Sequence, residues 1–409
     1  MNLLAELREG LGISWAAIRA NKMRSVLTTL GIVIGIVTVT LMGTAIAGLN
    51  RAFLNSISFI GADVLYVQRA SWFINSHEEW LRVQKRRAIT LAQVRAVEKQ
   101  LTLARAVAPT SGTMAPVRYK NRRANQVMLI GTTDQFLYTS AISVAQGRFL
   151  TPGEVDGGRP VCVIGSEVAT NLFQRESPLG RRVTIGQQSF EVVGVLDKQG
   201  SFLGMMSLDN QVIIPLQQFA AGFRTRPEYE FQVKVKDLAQ LDEAREEVRG
   251  VMRKVRRLAP AEPDDFAINQ QQQFLTLFYR VAGTIAAVGL FITGLSLFVG
   301  GIGIMNIMFV SVAERTREIG IRKAIGAKRR TILIQFLLES AGICLLGGLV
   351  GLAIAWPLTL VMQQFLPAAL SLSIVGIALL VSLVTGVAAG FFPAWRAARM
   401  NPVDALRNE

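Results

Sequence analysis

The sequence predicts an α-helical membrane protein with four transmembrane helices and an α+β extracytoplasmic domain between helices one and two. Three observations lead to this class. Long stretches of the 409-residue chain carry no charged residue, although the whole chain has a formal net charge of +15. Lysine and arginine gather at the ends of those stretches, as they do beside membrane spans. The region between the first two stretches instead alternates β-branched runs with amphipathic helical patterns.

Three apolar stretches supply the four spans. Residues 25–50 and 281–313 contain no Asp, Glu, Lys or Arg, and residues 331–395 contain only Glu339. A helix needs about 20 apolar residues to cross a bilayer, so the third stretch is long enough for two spans and a turn. Core helices of soluble proteins are seldom apolar on all sides over such lengths. We therefore predict transmembrane helices at 25–50, 281–313, 331–362 and 374–395, with an outer turn at 363–373.

The basic residues set the predicted orientation. Groups of them adjoin the spans in residues 1–24, in segment 314–330 and in tail 396–409, whereas the outer turn has none. Because cytoplasmic loops are enriched in Lys and Arg, both termini and segment 314–330 are expected in the cytoplasm, and residues 51–280 outside it. Residues 1–24 repeat large apolar residues at helical spacing, which favours an amphipathic helix on the inner membrane surface. The first span starts too late for a usual signal peptide and is expected to remain as an anchor.

The extracytoplasmic region mixes strand and helix patterns. β-branched runs bounded by turn residues predict strands at 64–68, 161–165, 182–185, 190–196, 212–215 and 231–235. Helices are predicted at Thr90–Leu101 and Ser166–Phe173, each with a hydroxyl N-cap, and at Leu238–Leu258. Residues 200–206 are apolar and rich in glycine, so this loop either contacts a partner or folds back onto the domain. Gln270–Gln273 contains no helix breaker, so the helix of span two is expected to extend outward as a stalk.

The sequence contains no motif for catalysis or metal binding. The single histidine, His77, has no second histidine to join it, and Cys162 and Cys344 fall in regions that are not expected to meet. Neither Gly-x-Ser-x-Gly nor the phosphate loop Gly-x-x-x-x-Gly-Lys-Ser/Thr is present. We therefore predict no catalytic, metal or cofactor residues in this chain. Basic residues form no stripe interleaved with aromatic residues, so membrane lipid rather than nucleic acid is the expected partner.

Segment 314–330, with the sequence ERTREIGIRKAIGAKRR, has the most specific pattern. Helical spacing places Glu314, Arg317 and Glu318 on one face, and Glu318 is spaced to pair with Arg322. Gly326 is expected to end the helix before Lys328 starts the next one. A basic loop held at lipid headgroups is the simpler alternative. The ordered alternation of acid, base, isoleucine and glycine favours a surface that fits a protein partner.

Several stretches resemble MacB-type ABC transporter permeases, in the wider group with the FtsX and lipoprotein-release permeases. The stretch GGIGIMNIMFVSVAERTREIGIRKAIGAKRRTILIQFLLES at 300–340 is similar to the core signature of that family, and FPAWRAARMNPVDALRNE at 392–409 to its C-terminal signature. AAIRANKMRSVLTTLGIVIGI at 16–36 resembles the start of its first span. GRFLTPGEVDGGRPVCVIGSEVATNLF and SPLGRRVTIGQQSFEVVGVL resemble its periplasmic core. The resemblance runs in order through nearly the whole chain.

The resemblance implies a multi-pass protein of the bacterial inner membrane that forms a permease homodimer and works in export or efflux. Each permease would bind an ABC ATPase subunit through Glu314, Arg315, Arg317, Glu318, Arg322 and Lys323. ATP-driven movement would then pass to the outer domain, which is mechanotransmission. MacB carries a fused ATPase at its N-terminus, whereas this chain resembles the split versions, so ATP is expected on a separate ATPase subunit.

The resemblance also leaves alternatives open. A periplasmic adaptor and an outer-membrane duct are expected partners where the cell has an outer membrane. One alternative is an FtsX-like signalling scaffold whose outer domain activates a wall hydrolase. Another is a lipoprotein-releasing permease, which usually requires two different permeases.

Small residues four apart suggest close helix packing in the spans. Such glycine pairs occur at 31 and 35, 347 and 351, and 386 and 390. Gly31 and Gly35 have two interpretations, packing within a subunit or the seam of the dimer. Glu339 also has two, a carboxylate that snorkels to the cytoplasmic surface or a buried functional group.

Overall fold

The structure is a computed structural model that describes residues 22–74, 76–174, 176–202, 206–223 and 228–407. It has two compact units, one combining the chain through Ala52 with Tyr279–Glu409, the other formed by Phe53–Phe278. The amphipathic helix predicted for residues 1–24 lies, except for its last three residues, outside the described residues.

The described helices include the long apolar ones and shorter ones between the strands. They are α1 (Lys22–Ile57), α2 (His77–Lys85), α3 (Leu91–Glu98), α4 (Phe136–Thr139), α5 (Pro152–Asp156), α6 (Ser166–Phe173), α7 (Leu216–Gly222), α8 (Leu241–Arg256), α9 (Gln271–Glu314), α10 (Thr316–Ala324), α11 (Arg329–Met362), α12 (Leu372–Arg399) and α13 (Pro402–Arg407). Four of them, α1, α9, α11 and α12, are long and apolar enough to cross a membrane. This number agrees with the predicted class.

The strands all belong to the second unit. They are β1 (Val64–Gln68), β2 (Ala104–Tyr119), β3 (Arg122–Thr132), β4 (Val144–Gly147), β5 (Val161–Ile164), β6 (Arg182–Ile185), β7 (Gln188–Leu196), β8 (Ser201–Phe202), β9 (Met206–Ser207), β10 (Gln211–Pro215), β11 (Glu230–Val235) and β12 (Ala267–Asn269). Ten of them form one mixed sheet in the order β12-β1-β11-β2-β3-β10-β5-β7-β4, with β6 beside β2 and β7. The pairs β3–β10 and β5–β7 are parallel.

Side chains that alternate along β5 explain why this sheet is covered on both faces. Val161 and Val163 pack in one apolar cluster with Phe136 of α4, whereas Cys162 and Ile164 pack in another with helix α6. Successive residues of a strand point to opposite faces, so an unbroken apolar run indicates a strand buried on both sides. A third cluster joins β1 and β11 to helices α3 and α8.

The six strands predicted from β-branched runs are confirmed to within two residues at either end. Thr90 is the N-cap of α3, as predicted, and forms a capping box with Gln93. The predicted serine cap of α6 is wrong, because Gly165 occupies the N-cap position. Only glycine fits there, since a Cβ on Gly165 would lie 2.1 Å from the carbonyl oxygen of Asp209.

The long hairpin of β2 and β3 was not predicted. β2 contains Pro109, Gly112 and Pro116, which usually interrupt strands. Pro116 is accommodated because the register of β2 against β3 shifts between Ala115 and Val117, which marks a bulge. Pairing with neighbouring strands therefore overrides the local signals.

Glycines set the spacing of the long helices in the first unit. A Cβ on Gly31 would lie 3.0 Å from the Cα of Gly300 in α9, and a Cβ on Gly35 would lie 2.8 Å from the side chain of Leu297. Gly31 and Gly35 thus pack against α9 of the same chain, and a role at a dimer seam stays a prediction. Small residues allow such close approach of helix backbones in a membrane.

The contact between α11 and α12 is also close. A Cβ on Gly390 would lie 1.9 Å from the Oγ of Ser340, and one on Gly386 would lie 2.8 Å from Cys344. The hydroxyl of Ser382 donates a hydrogen bond of 2.5 Å to the carbonyl oxygen of Cys344. One methyl group at either glycine would force the helices apart.

We predict that Gly390→Ala destabilises the detergent-purified full chain by about 1–3 kcal/mol, because overpacking displaces well-packed neighbours. Thermal unfolding of the purified protein measures this. Gly376→Ala on the same helix is the matched control, since nothing lies within 4 Å of a Cβ at that position. Equal melting temperatures for the two variants would contradict the packing described.

Candidate functional site

A one-residue break separates the second long helix from the segment that follows it. Helix α9 ends at Glu314 and α10 begins at Thr316. The Thr316 hydroxyl lies 3.2 Å from the carbonyl oxygen of Val312 and 2.8 Å from that of Ala313, and donates to carbonyl groups at the end of α9. The single helical face predicted through Glu314 and Glu318 is therefore wrong, because these residues belong to two helices.

Arg315, at this break, forms an ion pair with Glu339 of α11. The Arg315 Nη1 atom lies 3.4 Å from Oε1 of Glu339, whose side chain is only 4% exposed. Glu339 is thus a buried, paired carboxylate rather than one that snorkels to the surface. The removal of one partner from a buried pair leaves the other charge uncompensated.

Arg322 joins α10 to the start of α11. Its guanidinium donates a hydrogen bond of 2.8 Å to Oε1 of Gln335 and pairs at 2.5 Å with Glu318 four residues earlier. The predicted pair of Glu318 with Arg322 is confirmed. The contact with Gln335 had no signal in the sequence, because it depends on how the two helices pack.

Lys323 joins α10 to the end of α12. Its ammonium group donates to the carbonyl oxygens of Ala398, at 2.7 Å, and Met400. A cation is favourable here, since carbonyl groups at a helix C-terminus carry partial negative charge. Burial lowers the pKa of Lys323, and the nearby charge of Arg329 lowers it further.

Other residues of the segment remain exposed. Glu314, Arg317 and Glu318 are exposed, as are Ile321, at 46%, and Ile325, at 81%. We call these five residues the exposed face. Arg317, Ile321 and Ile325 recur every four residues, a spacing that keeps side chains on one side of a helix.

Two further features fix the segment in place. Ile319 is buried, and helix α13 from the tail packs against α10. Gly326 has a φ of +102° and ends the helix, as predicted. The backbone N–H of Ala327 then donates to the carbonyl oxygen of Arg322 at 3.0 Å, which satisfies one group at the end of α10.

Residues 25–251 match the family described as MacB-like periplasmic core domain. The chain belongs to this family. Residues 290–402 of the MacB-like chain match the FtsX-like permease C-terminal family, and this second match contains the whole segment 314–330. The resemblance drawn from the sequence motifs is thereby confirmed, and with it an extracytoplasmic domain on a membrane protein.

Two curated relatives match nearly the whole chain. The macrolide export ATP-binding/permease protein MacB of Bdellovibrio bacteriovorus is 31% identical and aligns with 99% of this chain and 62% of its own length. The pyoverdine export ATP-binding/permease protein PvdT of Pseudomonas syringae pv. tomato is 33% identical and aligns with 99% of this chain and 60% of its own length. The chain thus spans about three fifths of the length of these relatives.

Among solved structures, the crystal structure of the periplasmic region of MacB from Actinobacillus actinomycetemcomitans is similar to about half of this chain. The two share 18% sequence identity with a TM-score of 0.45, over 54% of this chain and 94% of the other.

We predict that Arg315→Met lowers the stability of the full chain by about 3–5 kcal/mol, the usual cost of leaving a buried charge unpaired. The double variant Arg315→Met/Glu339→Gln is expected to recover most of that loss, because no uncompensated charge remains. Thermal unfolding in detergent measures both. Arg330→Met, at an exposed residue, is the control, and the melting temperature of this variant should stay near that of the unmodified chain. A double variant no more stable than Arg315→Met would contradict the role of the pair.

Proposed function

We propose that the chain is the permease subunit of an ATP-driven MacB-like exporter, and that an ATP-binding subunit docks on the exposed face of segment 314–330. The observation that carries this proposal is the division of the segment into two sides. Arg315, Arg322 and Lys323 bond to other residues of the first unit, whereas the charged residues and the isoleucines of the exposed face remain accessible. A segment that served only to hold lipid headgroups would have no need of two exposed isoleucines.

The proposal gives different roles to the six residues that the family motif implicates. Glu314, Arg317 and Glu318 would contact the ATP-binding subunit, with Ile321 and Ile325 as apolar anchors. Arg315, Arg322 and Lys323 would act as positioning residues that hold α10 against the ends of α9, α11 and α12. Apolar anchors surrounded by charged residues are a common composition for protein interfaces.

The ATP site belongs, in this proposal, to a separate subunit outside these 409 residues. The relatives are named as ATP-binding/permease proteins, which supports an ABC ATPase as the partner. Two permeases and two ATP-binding subunits would form the complex in a bacterial inner membrane. Both termini and segment 314–330 would lie in the cytoplasm, where ATP is available.

Helix α9 is the proposed route of mechanotransmission. It runs without interruption from Gln271 to Glu314 and contains the stretch of the second span. A helix of this length transmits displacement as a rigid element, so a movement at Glu314 would reach the outer residues of α9. Export would follow from movement of the outer domain, with an adaptor and an outer-membrane duct as partners in cells that have an outer membrane.

Two other functions use the same architecture. An FtsX-like scaffold would activate an extracytoplasmic hydrolase, and a lipoprotein-releasing permease would work beside a second, different permease. The relatives named for export of macrolide and pyoverdine favour the exporter.

We predict that Glu314→Lys/Arg317→Glu lowers ATP-driven movement of the outer domain at least tenfold, because like charges then face each other across the docking surface. The readout is the nucleotide-dependent change in distance between spin labels at Tyr138→Cys in the two copies, measured on the complex with its ATP-binding subunit. Tyr138 is exposed and both native cysteines are buried, so labelling is selective.

The control is Glu243→Lys/Lys254→Glu, which reverses two exposed charges in the outer domain. This variant should keep the distance change of the unmodified chain, and the dimer should assemble in both variants. A normal distance change in Glu314→Lys/Arg317→Glu would refute the docking assignment.

A further inference from the structure

The outer domain contains an uncharged cavity of about 430 Å³. Seventeen residues line it, from the sheet, from the loop after α4 and from the β8–β9 region, and none is Asp, Glu, Lys, Arg or His. Such a lining is unusual in a chain with a formal charge of +15 and many charges on this domain. The volume lies within the range of about 300–1,000 Å³ typical of small-molecule sites.

Methionines form one wall of the cavity. Met114 of β2 and Met128 of β3 are cross-strand partners, and they are 56% and 37% exposed. Met206 of β9 lines the same space and is 51% exposed. Flexible thioether side chains that remain uncovered adapt to apolar ligands of varied shape.

The described ends of loop 200–206, for which the sequence left two interpretations, lie at this wall. At its described ends it folds back onto the domain, where Met206 lines the cavity and the ring of Phe202 packs 5.7 Å from that of Phe59. Phe59 lines the cavity as well, so aromatic and thioether groups enclose the space together.

Strand geometry holds the polar part of the lining in place. Gln126 has a φ of +53°, a left-handed conformation that residues with a side chain rarely adopt. The side chain of Asn210 donates a hydrogen bond of 3.2 Å to the carbonyl oxygen of Gln126, and the backbone of Met128 donates one of 3.1 Å to that of Asn210. Bulges and strained residues of this kind often orient side chains beside a binding site.

The amide side chains in the lining retain unused hydrogen-bonding capacity. Oε1 of Gln232 accepts a hydrogen bond of 2.9 Å from the Thr139 hydroxyl, which leaves the NH₂ group of Gln232 for a ligand. Nε2 of Gln199 donates a hydrogen bond of 3.1 Å to the carbonyl oxygen of Ala141, which leaves the side-chain carbonyl oxygen of Gln199 for a ligand. Neutral donors and acceptors thus face an apolar space.

Acids beside the lining are engaged by other groups. The Glu167 carboxylate accepts a hydrogen bond from the Ser207 hydroxyl, and Asp209 accepts from the backbone N–H groups of Gln199 and Gly200.

Two more acids lie in an adjoining cavity. That cavity, of about 540 Å³, shares Met114 and Met128 with the first. There Glu228 pairs with Arg69 at 2.8 Å, and Glu230 accepts a hydrogen bond of 2.6 Å from Gln68. No charge among the lining residues would therefore compensate an ion in the uncharged cavity.

We propose that the uncharged cavity binds an uncharged amphiphilic molecule, with an apolar body against the methionines and hydrogen-bonding groups against the glutamines. A charged ligand would lose its hydration without gaining a counter-ion, which is strongly unfavourable. This site belongs to the outer domain alone and stands independently of how the ATP-binding subunit docks.

Photolabelling of the full chain in lipid nanodiscs tests this site. Three probes share an eight-carbon chain with a diazirine and differ in their head, which is a primary amide, a carboxylate or an ammonium group. Mass spectrometry quantifies labelling of the peptides that contain Met114, Met128 and Met206, relative to labelling of the spans. The amide probe should label these peptides at least tenfold more than either charged probe, and excess unlabelled octanamide should remove that labelling.

Variants at the methionine wall sharpen the test. Met128→Glu should lower labelling by the amide probe at least tenfold and raise that by the ammonium probe, whereas the neutral Met128→Gln should stay within threefold. Leu238→Glu, at an apolar residue 55% exposed outside the cavity, is the matched control and should change nothing. Met114→Glu on the neighbouring strand replaces Met128→Glu if the latter unfolds. Equal labelling by the three probes, or no competition by octanamide on the unmodified chain, would overturn the proposal.

Discussion

The ion pair between Arg315 and Glu339 is the constraint on which the position of segment 314–330 depends. It holds Arg315, the residue between α9 and α10, against the buried carboxylate of Glu339 in α11. With that point fixed, α10 must run past the ends of α11 and α12, where Arg322 and Lys323 find their partners. The exposed face is the side of the segment that these three contacts leave uncovered.

In the proposed function, segment 314–330 is both held by the permease helices and available for docking. Three of its cations, Arg315, Arg322 and Lys323, are bonded to the neighbouring helices, so the segment is held in a defined position. A docking surface needs such a position, because a partner that transmits movement gains nothing from a loop that moves freely. Glycine packing among α1, α9, α11 and α12 supplies the rest of that rigidity.

The spans and six of the twelve described strands could be predicted from the sequence, because each depends on a local property. Charge-free length indicates the spans, and β-branched runs indicate the strands. The pair of Glu318 with Arg322 could be predicted, but the contacts of Arg315, Arg322 and Lys323 with the neighbouring helices could not, since those partners lie 13 to 77 positions away. The β2–β3 hairpin was missed because Pro109 and Pro116 mask a strand that pairing with β3 and β11 stabilises. The uncharged cavity could not be predicted, because Met114, Met128 and Met206, which line it, are far apart in the sequence.

Site-specific crosslinking at Ile325 tests the central claim most directly. A photoreactive amino acid at Ile325, 81% exposed, should crosslink to the ATP-binding subunit in the assembled complex, whereas one at the buried Ile319 or at Leu290, exposed on the apolar helix α9, should not. The crosslinked subunit is identified by mass spectrometry through its phosphate-loop peptide. If Ile325 crosslinks only to lipid or to the permease while the complex remains intact, segment 314–330 is not the docking site.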